Sequence, residues 1–285
     1  MREYDYYEGQ VFRPPSEARS LIVQITTGCS YNKCIYCSMF KAKKFKIKPL
    51  EVIREALTYF RSIYGPLKRV FLADGDAMAL PYIDLLNIVN SVNEFFPGCE
   101  RISAYGSCRN LIKYTDQQLS ELRKRGLSLI YMGVESGSDQ ILEDVKKGQD
   151  REMILKSTEK LRTAGMILSA SVICGLGGKE LGVENAEKTA EILNIIDPRY
   201  LGLLRLTIDS GTPLERRVRE GAFIPQDEKG IIQEMHTLIS GLELSDCIVR
   251  SNHVCNYVAI AGTIGKDPTG KEAMLNQLEQ AMRSF

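Results

Sequence analysis

The stretch Cys29-Ser30-Tyr31-Asn32-Lys33-Cys34-Ile35-Tyr36-Cys37 brings three of the chain's eight cysteines into nine residues. It follows an apolar run at 20–26, whose β-branched residues predict a buried strand. Loops at the carboxyl ends of strands carry the chemistry of α/β enzymes. We therefore expect this cysteine loop to be the functional centre and the rest of the chain to be its scaffold.

Strand-like and helical patterns alternate after the cysteine loop. Six strand–helix repeats predict a parallel sheet with right-handed crossovers, and six are fewer than the eight that close a full barrel. The predicted fold class is α/β, a partial (β/α)6 TIM-like barrel with a mostly helical C-terminal extension. The strands are predicted at 20–26, 69–73, 101–105, 127–134, 167–174 and 200–206, and the helices at 49–64, 81–96, 115–125, 139–146, 151–164 and 183–196.

The same pattern predicts three parts of the chain. Residues 1–19 form an N-terminal arm, residues 20–212 the partial barrel, and residues 213–285 an extension that covers the barrel. The extension is predicted to hold helices near 213–221, 226–242 and 270–283, with a short extended piece at 248–250.

Composition excludes several classes of protein. The net charge of +1 creates no global field for nucleic acid. No apolar run is long enough to span a membrane, and residues 1–5 do not resemble a signal peptide. We therefore expect a cytoplasmic location, where thiols stay reduced, and clustered cysteines are there more often ligands than disulfide partners.

Three clustered thiols indicate an open metal or cluster site. Iron–sulfur clusters are usually held by four cysteines, so three leave one coordination position for another ligand. Structural zinc sites have four ligands, usually in two closely spaced pairs. Here Cys34 and Cys37 form one such pair, and the sequence has no second closely spaced pair of cysteines or histidines. From spacing alone, an open cluster, a zinc site and simple buried thiols all remain possible.

The loop resembles the cluster-binding loop of the radical S-adenosylmethionine (SAM) superfamily. Tyr36 stands where the family has an aromatic residue that contacts adenine. The resemblance implies a [4Fe–4S] cluster on Cys29, Cys34 and Cys37. The spacing departs from the family's commonest pattern, because four residues rather than three separate the first two cysteines, giving Cx4Cx2C.

Other strand ends extend the resemblance over residues 20–221. Asp74-Gly75-Asp76 resembles the Gly-Gly-Glu-like motif that receives the SAM ammonium. Residues 133–138 resemble the branch that holds coproporphyrinogen dehydrogenase, the Elongator catalytic subunit and methylthiotransferase cores. There Glu135 would reach the ribose. The resemblance also implies that Lys147 meets the SAM carboxylate, that Ser171 makes a second ribose contact, that the Gly175 segment packs on adenine, and that residues 206–214 form a characteristic turn.

Each of these residues also has a plain structural explanation. Asp74 and Asp76 could cap the helix that follows, and Glu135 could stabilise a helix N-terminus. Lys147 alone is a surface lysine, and Ser171 alone is a strand serine. Only their order along the chain favours a shared site.

The resemblance implies reductive cleavage of SAM to a 5′-deoxyadenosyl radical, which abstracts hydrogen from an unidentified small molecule or peptide. One alternative is a radical SAM methyl- or sulfur-transferase acting on RNA. About 20 residues before the barrel are too few for a cobalamin domain, and no RNA-binding domain is expected after it, so nucleic acid is not the expected partner. The alternative of another class is an iron–sulfur electron carrier or a zinc-stabilised binding protein.

Three further residues are candidates for catalysis. Arg205 interrupts an apolar strand and would need an anionic partner, either a substrate or a strand end. Asn252 and His253 lie in a polar segment that could close over a substrate, and His253 could move a proton.

The five lysines at 41–48 suggest a solvated connector, a docking patch for an acidic electron donor such as a flavodoxin or ferredoxin, or a contact with RNA.

Overall fold

The computed structural model describes residues 6–285, apart from the Pro268 side chain, and its strands follow the apolar runs of the sequence. Residues 1–5, on which the signal-peptide prediction and part of the predicted arm depend, lie outside the described residues. The strands are β1 (Leu21–Gln24), β2 (Thr26–Thr27), β3 (Lys46–Ile47), β4 (Arg69–Ala73), β5 (Arg101–Tyr105), β6 (Leu127–Glu135), β7 (Ile167–Cys174), β8 (Tyr200–Arg205), β9 (Cys247–Arg250) and β10 (Ala261–Ile264).

The helices begin and end close to the predicted positions because local signals mark them. Thr115, for example, forms a capping box with Gln118 at the start of its helix. The helices are α1 (Leu50–Tyr64), α2 (Tyr82–Phe95), α3 (Cys108–Leu111), α4 (Asp116–Lys124), α5 (Asp139–Asp144), α6 (Arg151–Thr163), α7 (Gly182–Ile196), α8 (Pro213–Arg219), α9 (Glu228–Gly241) and α10 (Pro268–Met282).

The strands form an eight-stranded, mostly parallel sheet in the order β1-β4-β5-β6-β7-β8-β9-β10. The registers run in parallel from β1 to β4 to β5 to β6 and from β7 to β8 to β9, while β10 is antiparallel to β9. Separately, β2 and β3 form a short antiparallel ladder on either side of the cysteine loop. The predicted α/β fold class with parallel strands is confirmed.

The extension adds strands that the sequence did not predict. Only a short extended piece at 248–250 was expected, whereas β9 pairs with β8, and β10 pairs with β9. Each has four residues, too few for a period-2 pattern to emerge, and Gly262 weakens the strand signal further. The sheet therefore continues beyond the six predicted strands.

The chain separates into two compact units that do not follow the three predicted parts. The first unit holds residues 6–32, 39–132 and 159–167, and the second holds residues 33–38, 133–158 and 168–285. The division into an arm, a barrel and an extension stays a prediction. None of the helices between residues 6 and 285 is long and apolar enough to cross a membrane.

Glu234 is a buried carboxylate of the second unit, on the apolar side of α9. Burial raises its pKa to about 7, although hydrogen bonds from Gly175, Asn185 and Gln226 act in the opposite direction. Burial, and then the charge of this carboxylate, raise the pKa of the Cys174 thiol.

A carboxyl group whose pKa is higher in the folded than in the unfolded protein stabilises the fold at low pH, where it is protonated. This contribution to the free energy of unfolding is lost as the pH rises through the folded-state pKa. We expect the wild type to lose about 3 kcal/mol relative to Glu234→Gln between pH 4 and pH 8. Urea unfolding of both proteins at several pH values measures this difference. A constant difference between the two proteins across this range would contradict it.

Candidate functional site

Asp74 closes the end of β4 in the first unit with one carboxylate oxygen paired and the other unpaired. Its Oδ2 atom accepts hydrogen bonds from Lys43 Nζ at 2.8 Å and from the Gly28 backbone N–H at 3.3 Å. Its Oδ1 atom is buried and has no hydrogen-bond partner among the described residues. A buried polar atom without a partner costs about 1–3 kcal/mol. This oxygen is therefore available to a cationic or hydrogen-bonding ligand.

Gly75 brings the acidic turn against the start of the cysteine loop. Its backbone N–H donates to the Gly28 carbonyl at 3.2 Å. A Cβ atom at this position would lie 2.9 Å from that carbonyl oxygen and from the Phe40 ring, so only glycine permits the approach. The turn with Asp74 is thus fixed beside the residue that precedes Cys29.

Asp76 is saturated by donors from the protein. Its Oδ2 atom accepts from Ser30 Oγ at 2.9 Å, Ser107 Oγ at 2.7 Å and Asn110 Nδ2 at 2.7 Å. The backbone N–H of Ser107 donates to Oδ1 at 3.3 Å. Asp76 thus anchors the residue that follows Cys29, a task that the sequence did not predict. A contact of Asp76 with a ligand stays a prediction.

Four residues separate Cys29 from Cys34, and the first three of them, residues 30–32, are anchored within the first unit. The Tyr31 ring lies 4.4 Å from the Arg109 guanidinium carbon. Asn32 takes a left-handed conformation with φ of 49°, which asparagine tolerates better than most residues, and its Nδ2 donates to the Phe40 carbonyl at 2.9 Å. Ser30, Tyr31 and Asn32 are therefore all held in place, and a turn at Asn32 accommodates the extra residue.

We expect Asp76→Ala to weaken metal binding through this anchor. Without the carboxylate, Ser30 keeps only the hydrogen bond from Asn110 Nδ2 at 3.0 Å, and Cys29 is held less firmly. The iron bound after anaerobic reconstitution should fall to less than about half of the wild-type amount. It should also be lost faster in air. Asp84→Ala, which removes an exposed acid on α2, is the matched control. Equal iron in both variants would contradict the anchoring role.

Glu135 ends β6 in the second unit as part of a buried ion pair. It has a left-handed φ of 66°, and its Oε1 accepts from Lys147 Nζ at 2.8 Å. The two side chains are 11% and 17% exposed. The Oε2 atom is buried and has no hydrogen-bond partner among residues 6–285. One carboxylate oxygen and an ammonium group are thus placed together at a strand end.

Tyr36 lies in the electrostatic environment of this pair. Burial, and then the charge of Glu135, raise the pKa of the phenol well above its usual value. Burial alone would lower the pKa of Lys147, but Glu135, Tyr36 and Cys34 together raise it well above the usual value. At neutral pH the second unit therefore presents a cationic lysine and a neutral tyrosine beside the Glu135 carboxyl group.

Hydrogen bonds hold the second half of the cysteine loop in this environment. The Ile35 N–H donates to the Val145 carbonyl at 3.0 Å, and the Leu214 N–H donates to the Ile35 carbonyl at 3.1 Å. Ser38 Oγ donates to Asp209 Oδ2 at 2.5 Å. The predicted turn at 206–214 therefore fastens the loop on both sides of Tyr36 and Cys37.

The three predicted ligand cysteines are all half-buried, and none forms a disulfide. Cys29 belongs to the first unit, and Cys34 and Cys37 belong to the second. Across the described part of the chain, no three His, Cys, Asp or Glu side chains form a group that could hold a single metal ion. Cysteines that hold a cluster need not converge on one ion, because they bind different irons.

Two other predicted contacts lie on or just after β7. Ser171 is half-buried and stands opposite Gly202 of β8 in the parallel register. Gly175 follows the strand with φ of 87°, and its N–H donates to Glu234 Oε1 at 2.9 Å.

The structure gives protein partners to Arg205 at the end of β8. Its Nε donates to the Cys255 carbonyl, and its guanidinium carbon lies 4.3 Å from the Tyr257 ring. Asn252 and His253 are exposed in the same loop between β9 and β10. The His253 Nδ1 atom lies 3.1 Å from Cys255 Sγ. The catalytic roles of Arg205, Asn252 and His253 stay predictions.

Sequence reasoning missed several residues that shape the site. Ser107 and Asn110 follow β5, so the rule that function gathers at strand ends could have found them. Lys43 belongs to the lysine run, and nothing in the sequence pairs it with Asp74. Its side chain is only 13% exposed, which removes it from any docking surface.

Comparison with known proteins identifies a family for most of this region. The sequence model of the Radical SAM superfamily matches residues 23–193. A protein of Methanocaldococcus jannaschii, provisionally named a methylthiotransferase, is 25% identical over 163 residues, which are 54% of this chain and 35% of that protein. A tRNA-2-methylthio-N(6)-dimethylallyladenosine synthase of a Marinomonas species is 27% identical over 58% of this chain and 38% of the relative.

Solved structures share the fold. The archaeal Elp3 of Methanocaldococcus infernus, lacking its N-terminus, matches 92% of this chain and 63% of its own with a TM-score of 0.57 and 15% identity. The predicted TIM-like fold class is thereby confirmed. The chain spans little more than a third of the length of the two curated relatives.

Proposed function

The chain belongs to the radical SAM superfamily, and on that premise we propose that it binds a [4Fe–4S] cluster on Cys29, Cys34 and Cys37 and cleaves SAM reductively. Members of this superfamily use that cluster and SAM. The observation that carries the proposal is the Glu135–Lys147 pair with its unpartnered, buried Oε2 atom beside Tyr36. Such a pair offers an ammonium group to the carboxylate of SAM and an unpaired carboxylate oxygen to a hydroxyl of its ribose.

The residues present fit both groups. Three thiols within nine residues supply the sulfur donors of an open cluster. Asp74 Oδ1 and Glu135 Oε2 are buried acceptors that lack a donor in the described residues. An ammonium group bound at Asp74 would satisfy the first atom, a hydroxyl bound at Glu135 would satisfy the second, and each would remove the cost of its unpaired acceptor.

Each residue then has a specific task. Asp74 binds the ammonium of SAM, and Glu135 accepts a hydrogen bond from a ribose hydroxyl. Lys147 binds the carboxylate of SAM with a charge-assisted hydrogen bond. Tyr36, Ser171 and the turn at Gly175 hold the nucleoside. Held by Cys29, Cys34 and Cys37, a reduced cluster would supply one electron for cleavage of a sulfonium C–S bond of SAM, and the products would be methionine and a 5′-deoxyadenosyl radical able to abstract hydrogen from the substrate.

A small molecule or a peptide is the substrate class that we favour. The net charge of +1 offers no general attraction for RNA. The names of the two relatives make sulfur transfer to RNA the second candidate. Transfer of label from a methylthio donor to tRNA would decide for that candidate. We place the protein in the cytoplasm, where its eight thiols would stay reduced.

An external reductant must supply the electron, and we propose an acidic flavodoxin or ferredoxin that docks near the lysine run. Lys44 and Lys46 are exposed, whereas Lys43 pairs with Asp74, and Lys48 is buried with its Nζ on the Tyr6 carbonyl at 2.6 Å. Only part of the run is therefore available for docking.

Reversing these two charges tests the docking surface. In Lys44→Glu/Lys46→Glu, reduction by flavodoxin at low salt should slow about tenfold or more, since complementary charge steers association. Reduction by dithionite should not change. Lys156→Glu, on an exposed position of α6, is the control. Unchanged reduction by the acidic donor would remove the lysine run from the electron path.

Electron paramagnetic resonance of the reduced, reconstituted protein tests the proposed cofactors together. A cluster with an open iron should give a spectrum that changes when SAM is added. A cluster spectrum that does not change when SAM is added would contradict the proposal and favour a non-catalytic iron–sulfur electron carrier. Failure to bind iron at all would favour zinc or simple thiols.

A further inference from the structure

Glu234 of α9 is a carboxylate among apolar side chains, outside residues 23–193 that the family model matches. It lies on the same side of the helix as Ile231, Met235 and Leu238, and it is only 4% exposed. A carboxylate in this position requires donors to remain in the fold. The residues that donate hydrogen bonds to it show which segments it connects.

Three donors from three different segments meet this carboxylate. Its Oε1 accepts from the Gly175 N–H at 2.9 Å and from Asn185 Nδ2 at 2.7 Å. Gln226 Nε2 donates to Oε2. A Cβ at Gly175 would lie 2.5 Å from Ile231 Cδ1, so α9 packs directly on the turn after β7. A helix beyond the matched region therefore fixes this turn.

Asn185 of α7 carries the network on to the turn after β6. Its Nδ2 also donates to the Ile173 carbonyl at 3.1 Å, and its Oδ1 accepts from Ser136 Oγ at 2.5 Å. Ser136 Oγ in turn accepts from the Ser138 N–H at 3.0 Å. Ser136 directly follows Glu135. One buried carboxylate is thus connected to two strand ends.

We propose that Glu234 is a positioning residue for SAM, through which the C-terminal segment holds the Gly175 turn and the residues around Glu135 in their binding conformation. This inference rests on the proposed function. Glu234 acts through its hydrogen bonds rather than by contact with the cofactor. Its loss should therefore weaken SAM binding more than it affects the iron content.

Two substitutions separate geometry from charge. Glu234→Gln keeps an acceptor for Gly175 and Asn185, and the Gln226 amide can turn to face the new NH2 group. Glu234→Leu leaves the buried Gly175 N–H without an acceptor, and it leaves Asn185 Nδ2 with the Ile173 carbonyl alone. By anaerobic calorimetry of the reconstituted protein, SAM should bind Glu234→Gln within about threefold of the wild type. It should bind Glu234→Leu about tenfold or more weakly, at equal iron content.

A third variant keeps the test decisive if Glu234→Leu does not fold. Asn185→Ala breaks the link to Ser136 but leaves the Gly175 contact, and about threefold or greater weakening of SAM binding is expected. Wild-type affinity in Asn185→Ala or in folded Glu234→Leu would overturn the inference. Equal losses in Glu234→Gln and Glu234→Leu would also overturn it. If the wild type itself does not bind SAM, the proposed function fails instead.

Discussion

Cys34→Ala should abolish the cluster, the largest effect expected of any single substitution. Three thiolates are the fewest that the proposed site can use, because the fourth position is reserved for SAM. With only two thiolates, two irons of the cluster would have no protein ligand. Iron after reconstitution should fall to the background of a protein without a site, and the visible absorption of the cluster should disappear. Cys29→Ala and Cys37→Ala should behave in the same way.

Cys255→Ala is the matched control for this experiment. Cys255 is also partly exposed, but it lies in the loop between β9 and β10, where His253 Nδ1 approaches its sulfur. This variant should bind as much iron as the wild type. Full iron in Cys34→Ala, or an equal loss in Cys255→Ala, would show that the ligand set is different.

Lys147→Met should have the second-largest effect, because it removes the proposed contact with SAM and also leaves the buried Glu135 carboxyl group without its partner. Breaking a buried ion pair by deleting one partner typically costs about 3–5 kcal/mol. We expect a loss of stability near the lower figure, since 17% of the lysine side chain is exposed. The affinity for SAM should fall about tenfold or more, because its carboxylate loses a charge-assisted hydrogen bond.

A double variant separates these two consequences. Glu135→Gln/Lys147→Met removes both charges, so much of the stability should return while SAM binding stays weak. Lys146→Met, at the exposed neighbouring lysine, should change neither property. Restored SAM affinity in the double variant would contradict a direct role for Lys147. Unchanged stability in Lys147→Met would contradict the burial of Glu135.

The sequence predicted where the candidate site residues stand along the chain better than it predicted the contacts around them. The spacing of Cys29, Cys34 and Cys37 and the strand ends at Asp74 and Glu135 are local features, so they are visible in one dimension. The donors on Asp76 are not, because Ser107 and Asn110 reach it only after β5 and β4 lie side by side.

The other features that the sequence did not predict also depend on contacts between residues that are distant along the chain. Lys43 looked like one member of a solvated lysine run, yet it pairs with Asp74 across 31 residues. The four-residue strands β9 and β10 have no pattern of their own and depend on pairing with β8. The burial of Glu234 could have been predicted, because this acid interrupts the apolar side of the helix predicted at 226–242.

Formation of 5′-deoxyadenosine tests the central claim most directly. The reconstituted protein is reduced anaerobically with SAM, and the products are separated and quantified beside Cys34→Ala. The proposed site predicts 5′-deoxyadenosine and methionine in equal amounts from the wild type and neither from the variant. A reduced cluster that leaves SAM intact, or equal cleavage by Cys34→Ala, would contradict the claim.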